Sequence, residues 1–493
     1  MNLVLLQSIM VPVAASAIAL ATGKTLKEKT GWIVFAASLY VTWLLLVAAL
    51  KVYEGGIVVE HYTSVPLIGL FSLVADGISA PIALTIALLS SIIAVYSIGY
   101  MRGEKVLDGY FALYLLYEAG MIGTVLSSNL VFFFIFFELM LIPSWALIAG
   151  WGTGDRVRAA FKYFIFTEAG ALSVLAAIAI TGTLSGTFDM FEVASGMGSV
   201  DVNLLVTVVS IFLLGFFIKM AIFPLHTWLP DTYVEASTPI SALMSSAMTG
   251  IGGYGAIRIL YTCFPMVLSL NSFTIVLAVL AFITMVYGGF MAYAQDDLKR
   301  LLAYSSISQM GYMLFGVASA STIGVLGAIL LYIGHGLCKA SLFLVSGIFQ
   351  RQLKTKYLNE LGGLAGRMPY TAIATLISFL GLAGVPPTLG FWSELYIFLG
   401  SVYTALSYSL DVYRLAITGL AVVASILSAG YGLWTVKRAF YGEEVKTAKE
   451  PHEAPPILLV PTFVLAVLAV LLGIYPTVLT KLFSSPPTSL TFK

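Results

Sequence analysis

The sequence predicts an all-α membrane protein of about fourteen transmembrane helices. Of its 493 residues, 59% are hydrophobic and only 10% are charged, and the mean hydropathy is +0.98. Soluble globular domains have about 25% charged residues. A helix of about 20 apolar residues crosses a hydrocarbon core about 30 Å thick, and such stretches follow one another along almost the whole chain. These observations predict a polytopic protein embedded in lipid.

Short polar loops separate the predicted spans. The first span lacks the basic start of a signal peptide and is followed by further spans, so it is taken as a helix. Spans 1 to 14 are predicted at 3–22, 30–50, 80–100, 110–127, 130–150, 159–183, 204–224, 239–262, 268–293, 300–318, 322–349, 370–405, 412–436 and 456–480.

The basic residues are distributed unevenly between the two sides of the predicted membrane protein. Eighteen of the 25 Lys and Arg residues lie in loops that follow odd-numbered spans, Lys446 and Lys449 among them. The other side has only Lys51, Arg258, Arg414, Lys481 and Lys493. Cytoplasmic loops carry the excess of positive charge, which predicts a cell-membrane protein with both termini outside. The two basic residues left over, Lys219 and Lys339, fall inside spans.

The sequence has no recognisable ligand set for a redox centre or a nucleotide. An iron-sulfur cluster uses four thiolates, whereas only Cys263 and Cys338 are present. Glycine-rich nucleotide motifs are absent from the sequence, and its four histidines do not suggest a haem. We therefore predict no cofactor and no metal in this chain, and an energy source that lies elsewhere.

Seven ionisable residues fall inside the predicted spans. They are Glu118 (span 4), Glu138 (span 5), Glu168 (span 6), Lys219 (span 7), His335 and Lys339 (span 11) and Glu394 (span 12). A charged side chain at the bilayer centre costs about 2.5–3.5 kcal/mol, so such residues face the protein interior and mark ion or proton paths. Each one alone could instead be a structural ion pair or a helix-to-helix hydrogen bond. Their recurrence through both halves of the chain favours a path.

Two pairs among these residues suggest how a proton is passed on. Glu138 and Lys219 form a predicted switch, because separating an acid from a base changes the proton affinity of both. His335 and Lys339 are four residues apart, hence on one helix face, and form a predicted relay. His226 is an eighth candidate, for which a capped or hydrated histidine in a helix break is an equal alternative.

Prolines predict that two spans are interrupted. Span 7 is interrupted at Pro224 and again just beyond its end at Pro230, and span 12 contains Pro386 and Pro387 between two glycines. Each interruption lies near a buried charge and falls in the fourth member of a five-span unit, which predicts two inverted repeats. The predicted organisation is 1–105 for spans 1–3, 106–265 for the first repeat, 266–445 for the second, and 446–493 for span 14.

Four motifs resemble the antiporter-like subunits of respiratory complex I, of the M and N types. They are PLHTWLPDTYVEASTPISALM (224–244), QDDLKRLLAYSSISQMGYMLFG (295–316), HGLCKASLFLVSG (335–347) and GVPPTLGFWSE (384–394). The same family includes the D-type subunit of Mrp sodium/proton antiporters and the ion-pumping subunits of membrane-bound hydrogenases. The resemblance extends over roughly residues 70–490, and it is closest to the Mrp-D-like subunit of an archaeal membrane-bound NiFe hydrogenase.

The resemblance implies two inverted five-helix bundles, each with a half-channel, joined by a hydrophilic axis. By motif it assigns Glu138, Lys219, the His335 and Lys339 relay, and Glu394 to the family's charged sites, and it implies partner subunits with NiFe and Fe-S centres. One departure is in span 8, where relatives carry a mid-span lysine or histidine and this sequence has glycine near position 250. Either water and Tyr254 bridge that position, or the axis is interrupted there.

Three functions remain open from the sequence. The leading hypothesis is a proton-translocating subunit, itself without redox groups, of a redox-driven complex such as a hydrogenase or a complex I relative. The alternative is a Na⁺/H⁺ antiporter subunit of an Mrp-type complex or a stand-alone antiporter, and the third is a membrane anchor with buried ion pairs. Lys and His do not coordinate sodium, which favours protons, and nothing in the sequence suggests nucleic acid.

Overall fold

The protein is almost entirely helical in its computed structural model, which describes residues 3–407, 410–444 and 450–483. Three lysines of the charge count, Lys446, Lys449 and Lys493, lie outside the described residues, as does the predicted boundary at 445/446. The helices are α1 (Val4–Leu26), α2 (Thr30–Tyr53), α3 (Ser79–Tyr100), α4 (Leu107–Leu126), α5 (Leu130–Trp151), α6 (Arg156–Ser185), α7 (Val193–Gly196), α8 (Val202–Met220), α9 (Trp228–Glu235), α10 (Thr238–Leu243), α11 (Thr249–Ile257), α12 (Pro265–Leu268), α13 (Asn271–Tyr293), α14 (Leu298–Ala318), α15 (Thr322–Gln352), α16 (Pro369–Leu382), α17 (Leu389–Ser407), α18 (Val412–Ala424), α19 (Ile426–Tyr441), α20 (Pro456–Ile474) and α21 (Thr477–Phe483).

The long apolar helices confirm a polytopic membrane protein. Within the described residues, ten helical stretches are long and apolar enough to cross a membrane. The α15 helix is one of them, and its most apolar window is buried inside the protein along its whole length. A helix that is surrounded by protein can hold ionisable side chains away from lipid. This is the helix that carries His335 and Lys339.

A two-stranded sheet between α2 and α3 contradicts the all-α prediction. Strands β1 (Val58–Val65) and β2 (Gly69–Ala75) pair antiparallel, with Val58 opposite Ala75. Partly buried and exposed residues alternate along most of β1, as a strand with one covered face requires. The hairpin ends directly before Asp76, which it places at the start of α3.

Both predicted helix interruptions are present. The first separates α8, which ends at Met220, from α9, and the second separates α16, which ends at Leu382, from α17. The peptide bonds Phe223–Pro224 and Pro386–Pro387 are cis. The interruption predicted at Pro230 is wrong, because Pro230 lies in the first turn of α9. A first-turn proline removes an N–H that would have no intrahelical partner, so it begins the helix instead of breaking it.

Side chains donate to carbonyls at the ends of the two interrupted helices. The indole Nε1 of Trp228 donates to the Ile218 carbonyl at 2.9 Å, and Nε2 of Gln309 donates to the Leu382 carbonyl at 3.0 Å. Irregular backbone at membrane depth is tolerated only where protein or water satisfies it. The interruptions are therefore built into the fold.

Predicted span 8 is not a regular α-helix. It contains π-helical turns at Met244–Met248 and Arg258–Cys263, on either side of α11. Such π-turns leave carbonyls with altered partners and frequently occur at functional sites. The first π-turn directly precedes Gly250, the position where the sequence lacks the family's mid-span charge.

Candidate functional site

Lys219 is a buried lysine with no hydrogen-bond partner among the described residues. It is the penultimate residue of α8, directly before the interruption, and it is 1% exposed. Its Nζ lies 5.1 Å from the centroid of the Phe137 ring and 5.6 Å from that of the Tyr163 ring. Aromatic faces attract a cation without fixing it as a carboxylate would.

Glu138 lies near Lys219 but is not bonded to it. The two side chains interact electrostatically, whereas no salt bridge within 4.0 Å joins them in the described part of the chain. The Glu138 carboxyl also interacts electrostatically with that of Glu168, from α6, and its Oε1 is buried without a hydrogen-bond partner among the described residues. Both residues are only partly buried in the isolated chain.

Glu118 is separated from this group. It is fully buried in α4, and its Oε2 accepts a hydrogen bond of 2.5 Å from the Ser38 hydroxyl of α2. Its Oε1 is buried without a hydrogen-bond partner among the described residues. The structure thus ties Glu118 to the N-terminal helices.

His335 and Lys339 are buried on α15 and interact electrostatically. The Lys339 ammonium donates to the Leu302 carbonyl at 2.8 Å and to the Ser305 hydroxyl, both on α14. The His335 Nε2 has no hydrogen-bond partner in the described residues. One member of the predicted relay is therefore anchored to neutral groups, and the other has an unused ring nitrogen.

Glu394 lies against the second helix interruption. It is 8% exposed, and its Oε2 lies against Gly384, whose φ of +66° favours glycine. Its carboxyl interacts electrostatically with the phenols of Tyr312 and Tyr431. The Tyr431 hydroxyl is also buried without a hydrogen-bond partner in the described chain.

His226 lies in the first interruption. Its Nε2 shares a hydrogen bond of 3.0 Å with the Tyr287 hydroxyl, and its ring stacks on Phe223. Its Nδ1 is buried without a partner among the described residues. The position predicted from the sequence, in a break after Pro224, agrees with the structure.

The position that lacks a charge in span 8 is filled by an aromatic ring. A side chain at Gly250 would collide with the ring of Tyr332, which comes from α15 and donates to the Ala247 carbonyl at 2.8 Å. Tyr254 instead points to Arg258, whose Nε donates to its hydroxyl at 3.0 Å. Tyr254 is thus held at the end of the helix and does not cover the gap.

Three buried basic residues escaped the sequence analysis, which did not count them among the basic residues inside the membrane. Arg258 forms two hydrogen bonds, of 2.6 and 2.7 Å, with Asp76. Lys299 caps α9 by donating to the Ala236 carbonyl at 2.6 Å, and Arg414 donates to the Ala318 carbonyl at 3.0 Å. Basic residues near the ends of spans are read as loop residues. The sequence also has no signal for hydrogen-bond partners that are so far away along the chain.

The pKa of Asp76, which lies outside the membrane spans, is set by two opposing effects. Burial by itself would raise the pKa of this carboxyl, but the charge and hydrogen bonds of Arg258, with those of Ser79, hold it below its usual range. Asp76 is therefore ionised at neutral pH and forms a buried ion pair. Within the described residues, no group of three or more His, Cys, Asp or Glu side chains is placed to hold a metal.

Comparison with known proteins places the chain in a family. A family model described as "NADH:quinone oxidoreductase/Mrp antiporter, TM" matches residues 127–423, and one described as "NADH-Ubiquinone oxidoreductase (complex I), chain 5 N-terminus" matches residues 70–111. The chain belongs to this family of antiporter-like membrane subunits, as its motifs predicted.

Relatives and solved structures agree with this placement. The chain is 35% identical to NAD(P)H-quinone oxidoreductase chain 4 1 of Synechococcus elongatus, over 89% of this chain and 81% of that one. It is 32% identical to F(420)H(2) dehydrogenase subunit M of Methanosarcina mazei, over 90% of this chain and 89% of the relative. Its fold matches a chain of the Mrp complex from Dietzia sp. DQ12-45-1b with a TM-score of 0.88 at 24% identity, covering 98% and 97% of the two chains.

Proposed function

We propose that this chain moves protons across the cell membrane as a subunit of a redox-driven complex. The observation that carries the proposal is the ammonium of Lys219, buried without a hydrogen-bond partner at a helix interruption and within electrostatic range of Glu138. A structural lysine would be paired, because an unpaired buried charge is costly. Lys219 instead has the surroundings of a group that gains and loses a proton.

A neighbouring pair of carboxyl groups supplies the partner for that proton. The proposed switch has two states. In the first, Glu138 shares a proton with Glu168 and stays apart from the charged Lys219. In the second, that proton has left and Glu138 approaches Lys219. Because the carboxyl pair is only partly buried, we place it where a neighbouring membrane subunit adjoins this chain. Glu118, bonded to α2, and His226, bonded to Tyr287, are proposed as side branches of the path.

The second half of the proposed path runs along α15 to α17. Lys339 receives the proton, His335 passes it on through its unpartnered ring nitrogen, and Glu394 releases it. Glu394 suits a release site because the second interruption, at Gly384 and the two prolines, brings irregular backbone and two tyrosine hydroxyls to its carboxyl. Water has access to such interruptions more readily than to a continuous helix.

We infer fourteen membrane crossings with both termini outside, and two inverted five-helix repeats at about 106–265 and 266–445. The first two helices of each unit approach at a glycine of the first helix, Gly120 in α4 against the α5 backbone and Gly288 in α13 against that of α14. The third and fourth members do the same, at Gly170 between α6 and α8 and at Gly327 between α15 and α17. Small residues allow such close packing in membranes, and their matched positions support the repeat. Residues 1–105 and those from 446 would then lie outside the two repeats.

Hydroxyl groups are proposed to carry the path across span 8 in place of the missing charge. On one side of the first π-turn, the Tyr163 hydroxyl donates to the sulfur of Met248 at 3.2 Å. Lys219 lies over the ring of the same tyrosine. On the other side, the Ser245 hydroxyl is 2.9 Å from that of Ser306, and the adjacent Ser305 accepts from Lys339. The buried hydroxyl of Ser246, in the same π-turn, has no partner among the described residues and is suited to hold a water.

Replacing Ser245 and Ser306 together by alanine is expected to lower proton pumping several-fold without loss of the complex. The two hydroxyls bond each other, so removing both leaves no unsatisfied buried group. Pumping per assembled complex in inverted vesicles is the measurement. Ser346→Ala is the matched control, because that buried hydroxyl bonds within its own helix. Unchanged pumping in the double variant would place the path elsewhere.

The redox chemistry is assigned to partner subunits. The two relatives named above are described as subunits of dehydrogenase or oxidoreductase complexes, and this chain has no recognisable ligand set for their electron carriers. NiFe and Fe-S centres in partner chains of a membrane-bound hydrogenase or of a complex I relative would supply the energy. The fold shared with a chain of an Mrp complex supports the second candidate, a Na⁺/H⁺ antiporter subunit.

The experiment that tests the function separates protons from sodium. We expect substrate-driven acidification of inverted vesicles to proceed in sodium-free medium, and Glu394→Gln to lower it, since the amide cannot release a proton. The matched control is Glu444→Gln, in an exposed loop. Acidification that requires sodium, or antiport by the chain without partners, would favour the antiporter instead.

A further inference from the structure

An apolar groove of about 320 Å³ lies on the side of the bundle where the hairpin is found. Fifteen side chains from α2, α3, α15, α20 and α21 line it, and only Tyr53 and Thr85 among them carry a polar group. Leu46 and Leu50 of its wall are exposed on the outer surface of the bundle. The groove therefore opens sideways, towards the hydrocarbon of the membrane.

The groove is long in the direction of the helices. On α3 its wall extends from Pro81 to Leu88, a rise of about 10 Å. It begins near the ends of α2 and α20 and reaches Ile333 and Leu337 in the middle of α15. Packed interiors leave few voids and apolar cavities exclude water, so a groove of this shape within a membrane takes up hydrocarbon.

The mouth of the groove is basic on a side of the protein that is otherwise poor in exposed positive charge. Of the four basic residues described on this side, Arg258 and Arg414 are buried. The other two, Lys51 and Lys481, are exposed, and they adjoin the groove-lining residues Leu50 and Leu482 in sequence. The Lys481 ammonium lies 4.2 Å from the ring centroid of Tyr53, which lines the groove. The acidic residue Glu54 follows this turn of α2 as its C-terminal cap.

We propose that this groove binds one hydrocarbon chain of an anionic membrane lipid, whose phosphate is held by Lys51 and Lys481. Inside a bilayer the hydrophobic effect does not favour one apolar surface over another, so selectivity must come from shape and from the headgroup. The groove supplies the shape and the two lysines supply the charge complementarity. The bound lipid would join α2 and α21 to the helix that carries His335. This site is independent of the direction and identity of the transported ion.

Photolabelling of the whole complex tests the proposal. The complex is reconstituted in phosphatidylcholine vesicles that contain a trace of either phosphatidylglycerol or phosphatidylcholine, each with a diazirine in the same tail position. After illumination, adducts are mapped by mass spectrometry. We expect adducts on residues 46–53, 81–88 and 468–482 to be several-fold more abundant with the anionic lipid. Labelling at exposed α1 positions such as Ile18 and Leu20 serves as the reference for bulk lipid.

Three variants define the site further. Leu84→Trp is expected to remove the groove adducts by filling the cavity, whereas Leu39→Trp, at an exposed position of α2, leaves them. Lys51→Gln combined with Lys481→Gln is expected to abolish the preference for the anionic lipid. Equal labelling by both lipids would identify ordinary bulk lipid and overturn the proposal. Absence of groove adducts, as when a partner subunit covers the site, would overturn it as well.

Discussion

Lys219→Met is expected to lower proton pumping by about 10²-fold or more, the scale of losing a positioned proton-transfer group. Methionine keeps the length and apolar stem of lysine and removes the charge. Because Nζ has no hydrogen-bond partner among the described residues, the substitution breaks no bond and relieves a buried charge. Assembly should therefore be retained. Substrate-driven acidification of inverted vesicles, divided by the amount of assembled complex, measures the effect.

The matched control for Lys219 is Lys105→Met, which removes a lysine from an exposed loop. It should leave pumping per complex unchanged. Redox activity measured with an artificial acceptor reports whether the partner subunits remain intact in both variants. If Lys219→Met reduces the amount of complex but the remainder pumps normally, Lys219 is part of a membrane anchor and the proposed path is refuted.

The charged residues of the candidate site could be predicted because the membrane makes them rare. An ionisable side chain in a run of about 20 apolar residues is conspicuous, so Glu138, Lys219 and Glu394 were found without any structure. The interruptions were predictable for a similar reason, since proline cannot donate the helical hydrogen bond. Only the position of Pro230 was misjudged, because its effect depends on where the helix begins.

What the sequence could not predict is which groups meet. Glu138 was paired with Lys219 from their types alone, and the sequence offered no reason to place Glu168 beside them. The π-turn at 244–248 also has no sequence signal, because it depends on a one-residue shift of backbone hydrogen bonds. Tyr254 was considered as a bridge since it is near Gly250 in sequence, yet Tyr332, from another helix, fills that space.

The hairpin and the buried Arg258 were missed together, and they are physically connected through Asp76. The alternating residues of the hairpin form too short a pattern to be recognised beside long apolar spans. The hairpin positions Asp76, which neutralises Arg258 across 182 residues of sequence. Without that partner in view, an arginine near a span end is read as a loop residue.

Asp76→Ala is expected to destabilise the folded chain by about 3–5 kcal/mol, the cost of leaving a buried charge without its partner. Arg258 is 2% exposed, and its guanidinium has two hydrogen bonds to that one carboxylate, so water cannot replace them. The measurement is the thermal unfolding midpoint of the purified complex, together with its yield. Asp296→Ala is the comparison, because its ion pair with Arg438 is exposed at the carboxylate and contributes at most about 1 kcal/mol.

The double variant Asp76→Leu with Arg258→Met removes both charges while apolar side chains keep the space filled. Replacing both partners by apolar residues removes the charge and its desolvation cost together, so most of the lost stability should return. If the double variant is as unstable as Asp76→Ala, the loss comes instead from the loop that joins β2 to α3, where Asp76 also accepts from the backbone amides of Ile78 and Ser79. Recovery of the midpoint would show that Asp76 stabilises the fold chiefly by neutralising Arg258.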